Sequence, residues 1–148
     1  MKDYYEKYGY VVVRNLIPNQ VLDEANSAFD AEAISSNRFI YRQATANPER
    51  HIFTQHGFML NSILNPQSLN PRYFSKFRQS AEKILTHQFM QKLLNIIFSE
   101  QGKCVQGMYF HGNPATWAHQ DTYYLDSEHI GTMVGAWIAT EDITLDAW

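Results

Sequence analysis

Residues 106–144, "QGMYFHGNPATWAHQDTYYLDSEHIGTMVGAWIATEDIT", decide how the rest of the chain is read. Side chains here alternate with period two on both sides of a polar turn, the pattern of strands. Cys104, Gln106, Met108 and Phe110 share one face of the first predicted strand, with Val105, Gly107 and Tyr109 on the other. Met133, Gly135, Trp137 and Ala139 share a face of the second, with Val134, Ala136 and Ile138 opposite. Between them stands His119-Gln-Asp121. Positions i and i+2 of an extended chain point alike, so an imidazole and a carboxylate project together. Two such ligands, with a third from another strand, make the facial triad of non-haem Fe(II) oxygenases, which leaves positions open for a chelating cosubstrate and dioxygen. Taken alone, His-x-Asp also fits a surface turn in which Asp caps the backbone and His is solvated.

Working outward, helices precede these strands. Gly9 closes a short polar helix, and the β-branched run at 11–13 predicts a strand over "YGYVVVRNLI". Pro18 opens a helix whose apolar positions Val21, Leu22, Ala25, Ala28 and Phe29 recur at helical spacing, with Asp23, Glu24 and Asp30 facing water. Residues 35–71 are rich in Asn, Pro and Ser with scattered aromatics, the composition of long loops with short elements inside, suited to a lid or pocket wall. Two further helices come after Pro71. Thr86 is the expected N-cap of the second, Gly102 its C′ residue, and Phe89, Leu93, Ile96 and Ile97 its buried stripe. The order implies an α+β domain spanning 1–148.

The composition is that of an ordinary globular domain: 148 residues, 45% hydrophobic and net charge −3, with no basic excess that would suggest nucleic acid. No apolar run reaches membrane-spanning length, and the N-terminus lacks the apolar core of a signal peptide. The single Cys104 cannot form an internal disulfide; on a strand it reads as a small buried hydrophobe, and a cytoplasmic setting is expected. Arg38, Arg42, Arg50 and Arg72 flank the loop region, either as a solvated face or as contacts to an anionic substrate. His129, ten positions after His119, reads as a solvated loop residue rather than a third ligand.

With its strands, the 106–144 stretch resembles the phytanoyl-CoA dioxygenase family of Fe(II)/2-oxoglutarate enzymes: a strand, a Gly/Pro turn, the HQD motif with aromatics behind it, then "GAWIATED". "YGYVVVRNLIPNQVLDEANSAF" is similar to the family's opening strand and helix. The resemblance implies helices packed on a double-stranded β-helix, or jelly roll. It implies Fe(II) as metal and 2-oxoglutarate as cosubstrate, with a small organic substrate and dioxygen. His119 and Asp121 would be metal ligands and Trp137 would line the cosubstrate pocket, with Gln106 and Tyr109 as further pocket candidates that regular alternation sets on opposite faces. Trp137 is equally at home in a core. The family's third ligand, the His of "PGSH", and the Arg that pairs with the distal carboxylate of 2-oxoglutarate do not occur before Trp148. The expectation is therefore an N-terminal portion of an oxygenase with its jelly roll interrupted and the remaining ligand encoded beyond Trp148. The alternative is a non-catalytic binding or scaffold chain whose open sheet a partner completes.

Overall fold

A computed structural model describes residues 1–112, 118–121 and 127–144. It divides into two compact units, Met1–Asn113 and Pro114–Trp148. The first is a mixed α+β body. Helix α1 (Lys2–Tyr8) ends at Gly9, whose left-handed φ of 76° lets its N–H reach Tyr5 O at 2.7 Å. Helix α2 (Asn19–Ala28) begins after Pro18 and buries Val21, Ala25 and Ala28, the stripe its spacing implies. It then widens into a π-helical turn over Phe29–Ile34. Helices α3 (Ser75–Leu85) and α4 (Gln88–Phe98) come next, and four two-residue strands complete the unit: β1 (Ile40–Tyr41), β2 (Pro48–Glu49), β3 (Ile63–Leu64) and β4 (Met108–Tyr109).

The π-turn has two structural effects. It buries Phe29 and Ala33, and it carries Glu32 to the start of α3, where Oε1 accepts from Lys76 N (3.2 Å) and Oε2 from Phe77 N (3.0 Å). Helix α3 has no side-chain cap from its own N-cap residue, so Glu32 satisfies two of its orphan donors from another element. A carboxylate there also complements the helix dipole. An exposed ion pair, Lys83 to Glu24 at 2.8 Å, holds α2 and α3 side by side and keeps the Glu24 carboxyl below its ordinary range. The core closes where Phe29, Phe77 and Tyr109 meet, with ring centroids 4.6–5.4 Å apart in tilted and edge-on pairs.

Strands β1 and β2 pair antiparallel, Ile40 opposite Glu49, and β3 pairs with β4, Ile63 opposite Tyr109. Bridges from Arg42 to Ile63 and from Phe53 to Met59 join the pieces into a short meander over residues 40–64. The short elements expected inside the loop-rich segment are thus the paired backbone that positions β4.

Several expectations are corrected. Residues 10–17 form no strand: β-branched residues fit a pleated surface only where another strand offers a ladder, and the segment instead turns at Asn15 (φ 54°). Val13 and Leu16 line an apolar hollow of about 150 Å³ with Phe89, Leu93 and Ile96. The face α4 buries is accordingly Met90 and Ile97, while Phe89 and Ile96 stay partly in solvent. His87, not Thr86, caps that helix, its Nδ1 accepting from Phe89 N at 3.3 Å; Thr86 bonds back to Glu82 O. Ser99 takes the left-handed position expected of Gly102. Gly102 serves another end: a Cβ would collide with the Leu94 side chain, and the Gln91 amide clasps its N–H and C=O, each at 3.1 Å. Cys104 is exposed, since the regular strand begins only at Met108.

In the second unit, residues 131–143 carry no strand among the described residues. Alternation marks a segment able to join a sheet; the ladder itself requires a neighbour. Of the turn predicted over 111–116, residues 113–116 lie outside the described residues, as do residues 122–126 with the aromatics after the HQD motif.

Replacing Glu32 with Ala is expected to destabilise the first unit by about 1–2 kcal/mol, the cost of losing a helix cap. Chemical denaturation with unchanged m-value and a lowered midpoint would show it; an unshifted midpoint would mean that water replaces the carboxylate without loss.

Candidate metal centre

In the second unit, His119 Nε2 and Asp121 Oδ1 stand 3.1 Å apart. The i, i+2 spacing brings them together, and both side chains remain accessible, 43% and 65% exposed. The separation is that of an ion pair. It is also that of two cis ligands, because donors each about 2.1 Å from one metal and at a right angle lie about 3.0 Å apart. An imidazole nitrogen and a carboxylate oxygen suit a first-row divalent metal. The donor pair therefore fits such an ion. The other oxygen, Asp121 Oδ2, lies 3.6 Å from where a Cβ would stand on Gly135, an ordinary van der Waals separation.

No cluster of three ligating side chains occurs among the described residues. His129 belongs to a local turn in which Thr132 N and Oγ1 and Ser127 Oγ all donate to its carbonyl. Residues 114–148 carry Asp121, Asp126, Glu128, Glu141, Asp142 and Asp146 and no Lys or Arg. A segment so acidic favours cations and opposes an anionic cosubstrate unless a metal and a cationic side chain from other sequence offset it.

Among the remaining sequence candidates, Trp137 is 82% exposed. Gln106 is exposed. Tyr109 is half-buried in the first unit, its ring against Phe29 and Phe77 and its hydroxyl 3.3 Å from Asn26 Oδ1. Arg38 stacks over Tyr73 at 3.4 Å and Arg50 lies over Phe39 at 5.3 Å, while Arg72 lies 5.6 Å from the Tyr73 ring. Arg42 is neither a solvated nor a substrate-facing residue: it is completely buried. Alternation past the buried Ile40 points to this, since residues 40 and 42 share a face.

Arg42 organises the meander. Nη1 donates to Asn61 O (2.8 Å), and Nη2 donates to Glu49 O (3.3 Å) and to His51 Nδ1 (3.0 Å). Burial depresses its pKa and the nearby Glu49 charge partly offsets that, yet a guanidinium remains charged at any physiological pH. His51 Nε2 lies 2.8 Å from Ala33 O. The bond network therefore assigns the proton to Nε2 and leaves Nδ1 as acceptor. Burial, with Arg42 adding to it, holds the His51 pKa below its ordinary value, against the raising effect of the Ala33 and Ser36 backbone bonds.

The fold is mixed α+β, and an imidazole and a carboxylate stand side by side at His119 and Asp121. The family model Phytanoyl-CoA dioxygenase (PhyH) matches residues 5–147, and the chain belongs to that family. Comparison with curated proteins and with solved structures gives no match. No helix among the described residues is long and apolar enough to cross a membrane.

Asp121→Ala is expected to weaken Mn(II) binding by at least roughly 100-fold, more than the loss of an outer-shell partner costs. Calorimetric titration of wild type and variant compares them; equal affinities would place the metal elsewhere.

Proposed function

We propose that the protein acts as an Fe(II)- and 2-oxoglutarate-dependent dioxygenase that hydroxylates a small organic substrate. The observation that carries this reading is the His119–Asp121 pair at 3.1 Å inside the family match over residues 5–147. The bound iron would supply the activation of dioxygen, coupled to oxidative decarboxylation of the cosubstrate. His119 would hold the metal through Nε2 and Asp121 through a carboxylate oxygen. Asp121 contributes a full negative charge, which favours a divalent ion and lowers the net charge of the centre. Trp137 would wall the cosubstrate with an aromatic face that excludes water. Tyr109 is not carried into the site, because its ring is committed to the core with Phe29 and Phe77.

The same reading makes the working domain a jelly roll in which residues 131–143 find strand neighbours. It also requires a third ligand and a cation for the distal carboxylate. The PGSH motif does not occur in the 148 residues, and 114–148 contain no Arg. For the distal carboxylate a guanidinium is the best match, because it can meet both carboxylate oxygens.

The test is consumption of 2-oxoglutarate with Fe(II) under air by the protein from its native source, whose intact mass is determined in the same preparation. Iron-dependent succinate formation is expected, and Asp121→Ala should abolish it. Turnover that survives this substitution, or that proceeds equally without iron, would overturn the reading. Trp137→Ala should raise the KM for 2-oxoglutarate about tenfold, the effect of losing roughly 1.4 kcal/mol of cosubstrate binding, with a smaller change in kcat. A fall in thermal stability at unchanged KM would assign the ring to packing instead.

A further inference from the structure

A second titratable centre, in the first unit, has no part in the proposed reaction. His51 sits where three pieces of backbone converge. Its Nε2 lies 2.8 Å from Ala33 O of the π-turn, its Nδ1 receives Arg42 Nη2 at 3.0 Å, and the Met59 sulfur lies 3.1 Å from the same Nδ1. Among the described residues, the charged group that faces it from the end of β1 is Arg42, and from β2 it is Glu49, whose charge acts on Arg42; the π-turn and residues 59–61 present carbonyls and the thioether. No carboxylate hydrogen-bonds the ring among the described residues.

Neutral imidazole is the form this site accepts. A proton on Nδ1 would replace an acceptor by a donor and set two cations about 3 Å apart in a partly dry place, where both repulsion and a lost hydrogen bond are costly. Arg42 in turn ties the meander by holding Asn61 O and Glu49 O. Asn61 continues the tie: its Nδ2 donates to Arg50 O (2.8 Å) and its Oδ1 accepts from Ile52 N (3.0 Å). The helices are joined by other contacts, through Glu32, Lys83 and the three aromatic rings.

We propose that His51 is an acid-sensitive latch: protonating it releases Arg42 and loosens residues 40–64, while the packed helices persist. Linkage sets the sign. The folded segment holds the ring less basic than its ordinary value of 6.5, so the unfolded segment binds more protons as pH falls. The stabilisation is complete above about 6.5 and is lost as pH drops below it.

The experiment is native-state hydrogen exchange on the full chain between about pH 7.5 and 5, read as protection factors so that intrinsic exchange rates cancel, alongside NMR titration of the His51 ring. The reporters are the amides of Arg42, Gln43, Ile52 and Leu60, which donate to Asn47 O, Ser62 O, Asn61 Oδ1 and Ile52 O. Their protection is expected to fall about tenfold across that range, the order of magnitude that losing one charge-assisted hydrogen bond produces. The Arg78 amide in α3 should hold its protection, and the ring should titrate below its ordinary value of 6.5, at the acid end of the loss. In His51→Gln the reporters should lose their pH dependence. Flat protection in the wild type, a ring midpoint at or above 6.5, or simultaneous loss at Arg78 would each overturn the latch. The ring titration decides the matter even if the variant fails to fold.

Discussion

Everything in the first unit depends on the meeting of Phe29, Phe77 and Tyr109. Each ring comes from a different part of the chain: the start of the π-turn, the first turns of α3, and β4 more than thirty residues later. Aromatic side chains combine large buried area with preferred tilted and edge-on geometry, so three of them in contact fix orientation as well as proximity. Glu32, a few residues from Phe29, caps the helix that carries Phe77, and β4 pairs with β3 in the stretch that Arg42 and Asn61 hold together. The hydrophobic contact thus sets the arrangement, and the polar ties around it hold the backbone that presents the rings.

Much of this is legible in the residues themselves. Helix α2 is implied by Pro18 and the spacing of Val21, Ala25 and Ala28, and α1 ends where Gly9 permits a left-handed turn. Such signals are local, acting within one or two turns of backbone. Strands are different, because their stability comes from partners remote in sequence. The valines at 11–13 have the composition of a strand and no ladder, whereas the Asn- and Pro-rich 40–64 region pairs through Arg42 and Asn61, which no propensity reveals. Helix α4 shows a further limit: periodicity locates an apolar face, and the neighbour decides which part of it is covered.

The site divides in the same way. His119 and Asp121 stand out in the sequence by their spacing, and the structure sets Nε2 and Oδ1 3.1 Å apart. Position along the strand makes Tyr109 a pocket candidate, yet the ring's surroundings are set by Phe29, eighty residues earlier. In the sequence, Arg42 is one of four loop cations. Only its place opposite Ile63 and beside His51 distinguishes it from Arg38 and Arg50, whose guanidinium groups rest on exposed aromatic rings.

The π-helical turn at Phe29–Ile34 constrains how this protein can vary. Each helical residue advances the side-chain direction by about 100°. A deletion there that restored ordinary winding would leave the apolar content almost unchanged, yet rotate the residues after the turn out of phase with those before it. Glu32 would leave the start of α3 and the Ala33 carbonyl would leave His51, while Phe29 stayed in place. The segment can therefore absorb changes of residue type at its exposed positions, Asp30 and Ala31, far more readily than a change in length.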